Sequence, residues 1–174
     1  LETKFASASS GKVFVATAIL QLIDQGKLDL NDTLGNLLDI DLHEIDLNVT
    51  VAQLLNHTSG VPDYFDESTM SEYEDLWSDY PNYRIRHNHD LFPLFVNKPM
   101  MYPRGQKFQY NNSGYVLLAA IIEQITEMHF DKYLQNNIFD VCGMTGTGYY
   151  ELDKLPAKCA NNYIYCTDTN DYRT

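Results

Sequence analysis

The segment Phe5 to Leu30, FASASSGKVFVATAILQLIDQGKLDL, limits what this chain can fold into more than any other stretch. It opens on small polar residues, Ser7, Ala8, Ser9, Ser10 and Gly11, and then turns apolar from Val13 to Ile23 before stopping at Gly26. Apolar side chains fall on nearly every face at helical period, which predicts a helix buried on most sides. Ser9 and Ser10 are residues of N-cap type, and Gly26 suits the position just past a helix end. A helix that starts near Ser9 places Ser9 and Lys12 on one face, with Cβ atoms about 5–6 Å apart.

That pairing has a plain reading and a chemical one. In the plain reading this is a capped core helix whose lysine runs its stem along apolar surface and its head into water. In the chemical reading Lys12 activates Ser9, since a serine is a weak nucleophile until a neighbour takes its proton. A lysine can do so only where burial or a helix N-terminus disfavours the ammonium form. The same N-terminus offers backbone N–H groups to an oxyanion. Ser-x-x-Lys alone is too short to decide between them. A phosphate-binding P-loop is excluded, because Ala6 stands at its first glycine and Val13 at its magnesium-binding hydroxyl.

The chain of 174 residues is long enough for one domain with a core, and 44% hydrophobic residues make it globular. A formal net charge of −12 argues against nucleic acid or an anionic membrane as the main partner. No apolar run reaches transmembrane length. No signal peptide is visible, but the chain opens inside a structural unit, so this says little about compartment. Cys142, Cys159 and Cys166 match no zinc or redox spacing; free thiols are expected, with a Cys159–Cys166 bridge left open.

Further along, Asn31-Asp32 signals a turn before a helical turn around Leu34, Leu37 and Leu38. Thr50 reads as the N-cap of a short helix, Val51 to Leu55, with Gly60 and Pro62 supplying the stop. His57 is read as hydrogen-bonding this turn rather than as a catalytic base. Residues 64–101 are irregular, with helical turns expected around Ser71–Trp77 and Asp90–Val96, separated by loops and together forming one wall of a cleft. His87-x-His89 has no third ligand at a suggestive spacing, so no metal site is expected. Tyr110-Asn111-Asn112 lies in a loop before a strongly apolar helix, Tyr115 to Met128. There Tyr110 can share protons with Lys12, and Asn112 can bind a substrate amide through donor and acceptor together. Turn-capping is the plain alternative. A helix from about Phe130 to Asn137 follows, with strands expected at Gly148–Leu152 and Tyr163–Tyr165.

Six stretches in order resemble the serine β-lactamase and penicillin-binding protein family, in its class C-like branch of β-lactamases, D-alanyl-D-alanine peptidases and esterases. They are Phe5 to Lys12 (FASASSGK), Gly26 to Asp32 (GKLDLND), Leu54 to Pro62 (LLNHTSGVP), Pro103 to Tyr115 (PRGQKFQYNNSGY), the helix Tyr115 to Thr126, and Ile138-Phe139 through Gly143-Met144. The resemblance implies an α+β β-lactamase/transpeptidase-like fold, with residues 1–174 forming a partial catalytic domain. It also implies catalytic roles for Ser9 as acylated nucleophile, Lys12 as its partner and Tyr110 as proton shuttle, with Asn112 contacting the substrate amide. No metal or cofactor is called for. The implied reaction is acyl transfer from a β-lactam, a D-Ala-D-Ala-type peptide or an ester; the alternative is a penicillin- or peptide-binding sensor without turnover. A bacterial envelope or secreted location follows from the resemblance alone.

Three features depart from the family. Gly11 stands where Ser or Thr often precedes the lysine, and Val141-Cys142 replaces Pro-Leu before Gly-Met. The third motif, Lys-Thr-Gly or His-x-Gly on an edge strand, is absent along with most of the β-sheet. The chain is therefore expected to be mainly the helical part of the fold, nearly inactive alone, with apolar surface that associates with the remainder of the domain.

Overall fold

The computed structural model describes residues 2–70, 73–166 and 169–173. A 3-10 turn, Ala8–Gly11, leads into helix α1, Lys12–Asp24. No side chain caps this entry, so Ser9 and Ser10 do not serve as N-caps. The tight turn instead moves the start of regular helix to Lys12 and leaves Ser9 one turn ahead of it. Gly26 ends α1 at φ +70°, as its position predicts.

Burial of α1 differs from expectation. Val15, Ala18, Ile19 and Leu22 form one buried stripe, while Val13 is 63% and Leu20 54% exposed. The helix surrounded on all sides is α4, Ser113–Thr126, whose residues from Val116 to Ile122 are all buried. Helices α1, α2 (Leu34–Leu37), α3 (Val51–Leu55) and α5 (Phe130–Leu134) pack around it, together with the 3-10 turn Asn88–Leu94. Asn88 fastens that turn by donating from Nδ2 to the Val116 carbonyl at 2.9 Å. The irregular region thus packs on α4 through this turn, and none of its described residues lines the cleft beside Ser9. Its first helical turn spans Tyr73–Trp77; Ser71 and Glu72 lie outside the described residues.

Helix α3 carries the capping box that Thr50 and Gln53 predict: Gln53 N–H donates to Thr50 Oγ1 at 3.3 Å, and Thr50 N–H to Gln53 Oε1 at 3.1 Å. Its end comes earlier than Gly60. His57 takes the left-handed conformation at φ +60°, with His57 N–H donating to Leu54 O and Thr58 N–H to Gln53 O, a Schellman ending. Gly60 has a different role. A Cβ there would lie 2.1 Å from the Tyr102 carbonyl oxygen, and φ is +72°, so only glycine lets the two backbones meet.

After α5, a π-turn (Gln135–Phe139) sets Phe139 edge-on against Phe14, with ring centroids 4.9 Å apart. Residues 148–152 do not form a strand. Strand β1, Ile164–Cys166, does form and pairs antiparallel with β2, Asp171–Arg173, which sequence patterning misses because its residues are too polar and too few. The segment around Lys4 also pairs with residues 158–160: Lys4 N–H donates to Lys158 O at 2.9 Å and Ala160 N–H to Lys4 O at 2.8 Å. No disulfide joins Cys159 to Cys166, which removes the bridge that the sequence left open. Beside this junction runs an open groove of about 940 Å³, lined among others by Phe5, Val13, Phe14, Phe139, Leu152 and Leu155.

Two substitutions test these local causes. Thr50→Ala is expected to cost about 1 kcal/mol through loss of the cap. Gly60→Ala should cost more than about 2 kcal/mol, because strain at positive φ adds to the clash with Tyr102. Urea midpoints at constant m-value measure both. A Gly60→Ala protein as stable as the parent would remove the close-approach argument.

Candidate active site

The tight entry to α1 sets the geometry here. Ala8 sits at φ +44°, a left-handed conformation that a residue with a Cβ adopts at a cost. The following turn then projects Ser9 toward Lys12. Lys12 Nζ donates to Ser9 Oγ at 3.1 Å and to Asn112 Oδ1 at 2.8 Å. The same nitrogen lies 4.8 Å from the centroid of the Tyr110 ring and 5.8 Å from that of Tyr115. Lysine therefore does not snorkel to solvent. Two oxygens and two ring faces fix where its amine stands.

Ser9, Lys12, Val13, His57, Tyr110 and Tyr115 line a cleft of about 400 Å³, open to one side. Gly11 lies on the neighbouring groove, where a Cβ would stand 3.3 Å from the Tyr149 hydroxyl and 3.6 Å from Ser7 Oγ. A side chain at this position therefore requires Tyr149 to shift by a few tenths of an ångström.

The loop carrying Tyr110 and Asn112 is held from both sides. Asn111 is its fastener, donating from Nδ2 to Val61 O at 2.8 Å and accepting the Gly114 N–H on Oδ1 at 2.7 Å. Capping of the turn, the plain reading of Tyr-Asn-Asn, falls to Asn111. Asn112 is only 6% exposed, and both ends of its amide are engaged: Oδ1 with Lys12, Nδ2 with Asp63 Oδ2 and Phe65 O, each at 3.2 Å. The donor and acceptor foreseen for a substrate amide are here directed inside the protein. The Tyr110 ring faces Lys12, whereas its hydroxyl is buried and has no hydrogen-bond partner among the described residues. Contact between Tyr110 and Lys12 is through the ring face.

His57 enters the site, where the sequence reading assigned it to its own turn. Its ring packs on Tyr110 and Tyr115, with centroids 4.7 and 5.2 Å apart, and its Nδ1 accepts the Asn111 backbone N–H at 3.1 Å. That bond needs the Nδ1 lone pair, so it exists only with Nδ1 unprotonated. Burial first, and then the Lys12 charge, hold the His57 pKa below the ordinary histidine value. A left-handed non-glycine residue at a helix end whose ring faces a cleft is a signal legible only in the structure. Tyr115 donates its hydroxyl to Leu55 O at 3.1 Å, and burial raises its pKa.

Asp63 is the other residue that the sequence does not single out. Its buried carboxylate accepts from Asn112 N at 2.8 Å, Asn112 Nδ2, Ser113 N, Ser113 Oγ and Phe65 N. Burial pushes its pKa up against the pull of these donors. His87, His89 and His129 stack as parallel rings 5.1–5.7 Å apart rather than converging on a point. Among the described residues no group of three or more His, Cys, Asp or Glu is placed to share a metal ion, and no helix is long and apolar enough to cross a membrane.

Known proteins share this arrangement of segments. Residues 1–169 match the family described as Beta-lactamase. Penicillin-binding protein 4* of Bacillus subtilis (strain 168) is 30% identical over 173 residues, 97% of this chain and 36% of the relative. The crystal structure of a penicillin binding protein from Bacillus halodurans superposes with a TM-score of 0.86 at 43% identity, covering 93% of this chain and 48% of that one. An octameric penicillin-binding protein homologue from Pyrococcus abyssi gives 0.72 at 26% identity, covering 93% and 36%. The fold is of the β-lactamase/transpeptidase type, and the chain carries mainly its helical part, spanning between about a third and a half of these relatives' length.

The state of His57 predicts a pH effect. A histidine that titrates lower in the folded than in the unfolded state stabilises the fold above its unfolded pKa. That contribution is lost as pH falls from the unfolded value through the folded one. Thermal stability is therefore expected to drop, as pH falls below about 6.5, more steeply for the parent than for His57→Gln. Parallel Tm-versus-pH curves for the two proteins would show that His57 is not the group responsible.

Proposed function

The chain belongs to the beta-lactamase family, and on that footing we propose that it is the nucleophile-bearing part of a serine hydrolase or acyltransferase working through an acyl-enzyme on Ser9. The observation that carries this reading is the contact of Lys12 Nζ with Ser9 Oγ at the head of α1, backed by Asn112. Ser9 Oγ attacks an acyl carbonyl while its proton passes to Lys12 Nζ. The tetrahedral adduct collapses, the leaving group takes up the proton, and the acyl group stays on Ser9. Water or an amine, deprotonated through the same amine, then releases it. Ser9 N–H, in the turn entering α1, is one oxyanion donor, and an edge strand of the family's sheet supplies the second.

Asn112 supports this chemistry by holding Lys12, and Tyr110 by walling the amine with its ring face. Substrates in keeping with the open 400 Å³ cleft are β-lactams, D-Ala-D-Ala-type peptides and esters. The exposed apolar groove between the N-terminal segment and residues 144–155 fits association with the sheet of the domain. A Tyr110 hydroxyl that is buried and without a partner among the described residues also fits a second reading, acylation without turnover, as in a penicillin sensor.

Intact mass after mixing with a reactive β-lactam, and separately with a fluorophosphonate, tests the nucleophile. An adduct is expected on the parent and none on Ser9→Ala; an adduct on both variants would move the nucleophile elsewhere. A lifetime of seconds marks a hydrolase, and one of hours a sensor. Turnover by this chain alone is expected about 100–1,000-fold below that of a protein carrying the second oxyanion donor.

A further inference from the structure

We propose that Asp63 is a positioning residue for the Lys12–Ser9 pair, acting through the side chain of Asn112. This rests on the catalytic reading of that pair. Hydrogen-bond direction at Asn112 carries the link. An asparagine amide has a donor end and an acceptor end, and turning it by half a turn exchanges them. Lys12 needs the acceptor, since its amine donates to Asn112 Oδ1 at 2.8 Å. What keeps Oδ1 on that side lies behind Asn112, where Nδ2 meets Asp63 Oδ2 and Phe65 O, both at 3.2 Å. A turned amide would set its oxygen against those two acceptors and its NH₂ against the Lys12 donor. Three favourable contacts would become three repulsive ones in a buried site.

Asp63 holds that position because its own surroundings accept only a carboxylate. Oδ2 takes two donors, Asn112 N–H and Nδ2–H, and Oδ1 takes three, Ser113 N–H, Ser113 Oγ–H and Phe65 N–H. An amide at position 63 would turn an NH₂ onto at least two of these donors, whichever way it faced. The carboxylate also sits at the first turn of α4, where negative charge is favoured. One buried group therefore anchors the helix start and sets the orientation of the amide that Lys12 depends on.

The test compares Asp63→Asn with Ile121→Val, a core truncation in α4 that serves as the control for destabilisation alone. Two readouts are taken on the 174-residue chain. The first is the fluorophosphonate reaction at Ser9, separated into its binding constant and its limiting rate. Asp63→Asn is expected to lower the limiting rate about 10–100-fold with the binding constant nearly unchanged, as misplacement of a catalytic group does. Ile121→Val should leave both within about twofold. The second is hydrogen exchange of the Asn112 side-chain amide by nitrogen-15 NMR, its signals identified by their loss in Asn112→Asp. These protons should be protected in the parent and exchange at least 10-fold faster in Asp63→Asn, as loss of a buried hydrogen bond implies. An unchanged limiting rate in Asp63→Asn overturns the proposal, and so does unchanged protection of the Asn112 amide. If the parent is not labelled at all, the catalytic reading itself fails, and the exchange readout still decides whether Asp63 orients Asn112.

Discussion

The position of one nitrogen organises this structure. Lys12 Nζ lies between Ser9 Oγ and Asn112 Oδ1, residues about a hundred positions apart in the chain, and each must be delivered to within hydrogen-bond distance. The tight turn at Ala8–Gly11 delivers the first and the start of α4 delivers the second. Packing of α1 on α4 through Val15, Ala18, Ile19 and Leu22 fixes the separation of those two starts. Since protein cores are packed nearly as densely as crystals, that separation is not free to drift. The core thus acts on the chemistry by setting a distance.

A second set of contacts sets directions. Asn111 ties the loop to Val61 and to the first turn of α4, and its N–H meets His57 Nδ1. Asp63 collects five donors from three neighbouring residues. His57 gives up the cheaper backbone of a glycine to stand against both tyrosine rings. Each of these polar groups is at least half withdrawn from water, where a misdirected donor costs more than it would at the surface. Groups held in this way need little reorganisation when a ligand arrives.

Much of the helical frame was legible in the sequence, because periodicity and caps are local signals. Thr50 with Gln53, Gly26 after Ile23, and the apolar run after Tyr115 each announced an element that forms. The Ser9–Lys12 contact was equally legible, since one helical turn joins them. Tertiary facts were not. Which of two apolar helices is surrounded depends on what packs beside it, so α1 was read as more buried than it is. Asp63 stands in a Val-Pro-Asp-Tyr stretch with no periodicity, and its five donors come from residues that sequence reading cannot bring together. His57 was read as bonding its own turn, whereas its partner is Asn111, more than fifty positions away.

The central claim is that Lys12 acts on Ser9 as a base and not only as a charge. Arginine at this position keeps the charge and can still donate to Ser9 and Asn112, but it cannot accept a proton at any pH used for proteins. The most direct measurement is the second-order rate of Ser9 phosphonylation by a fluorophosphonate, for the parent and for Lys12→Arg, with folding of both checked by Tm. A fall of about 100–10,000-fold in Lys12→Arg, at unchanged Tm, is what general-base catalysis predicts. Equal rates in the two proteins would contradict the account and leave Lys12 as an electrostatic and structural residue alone.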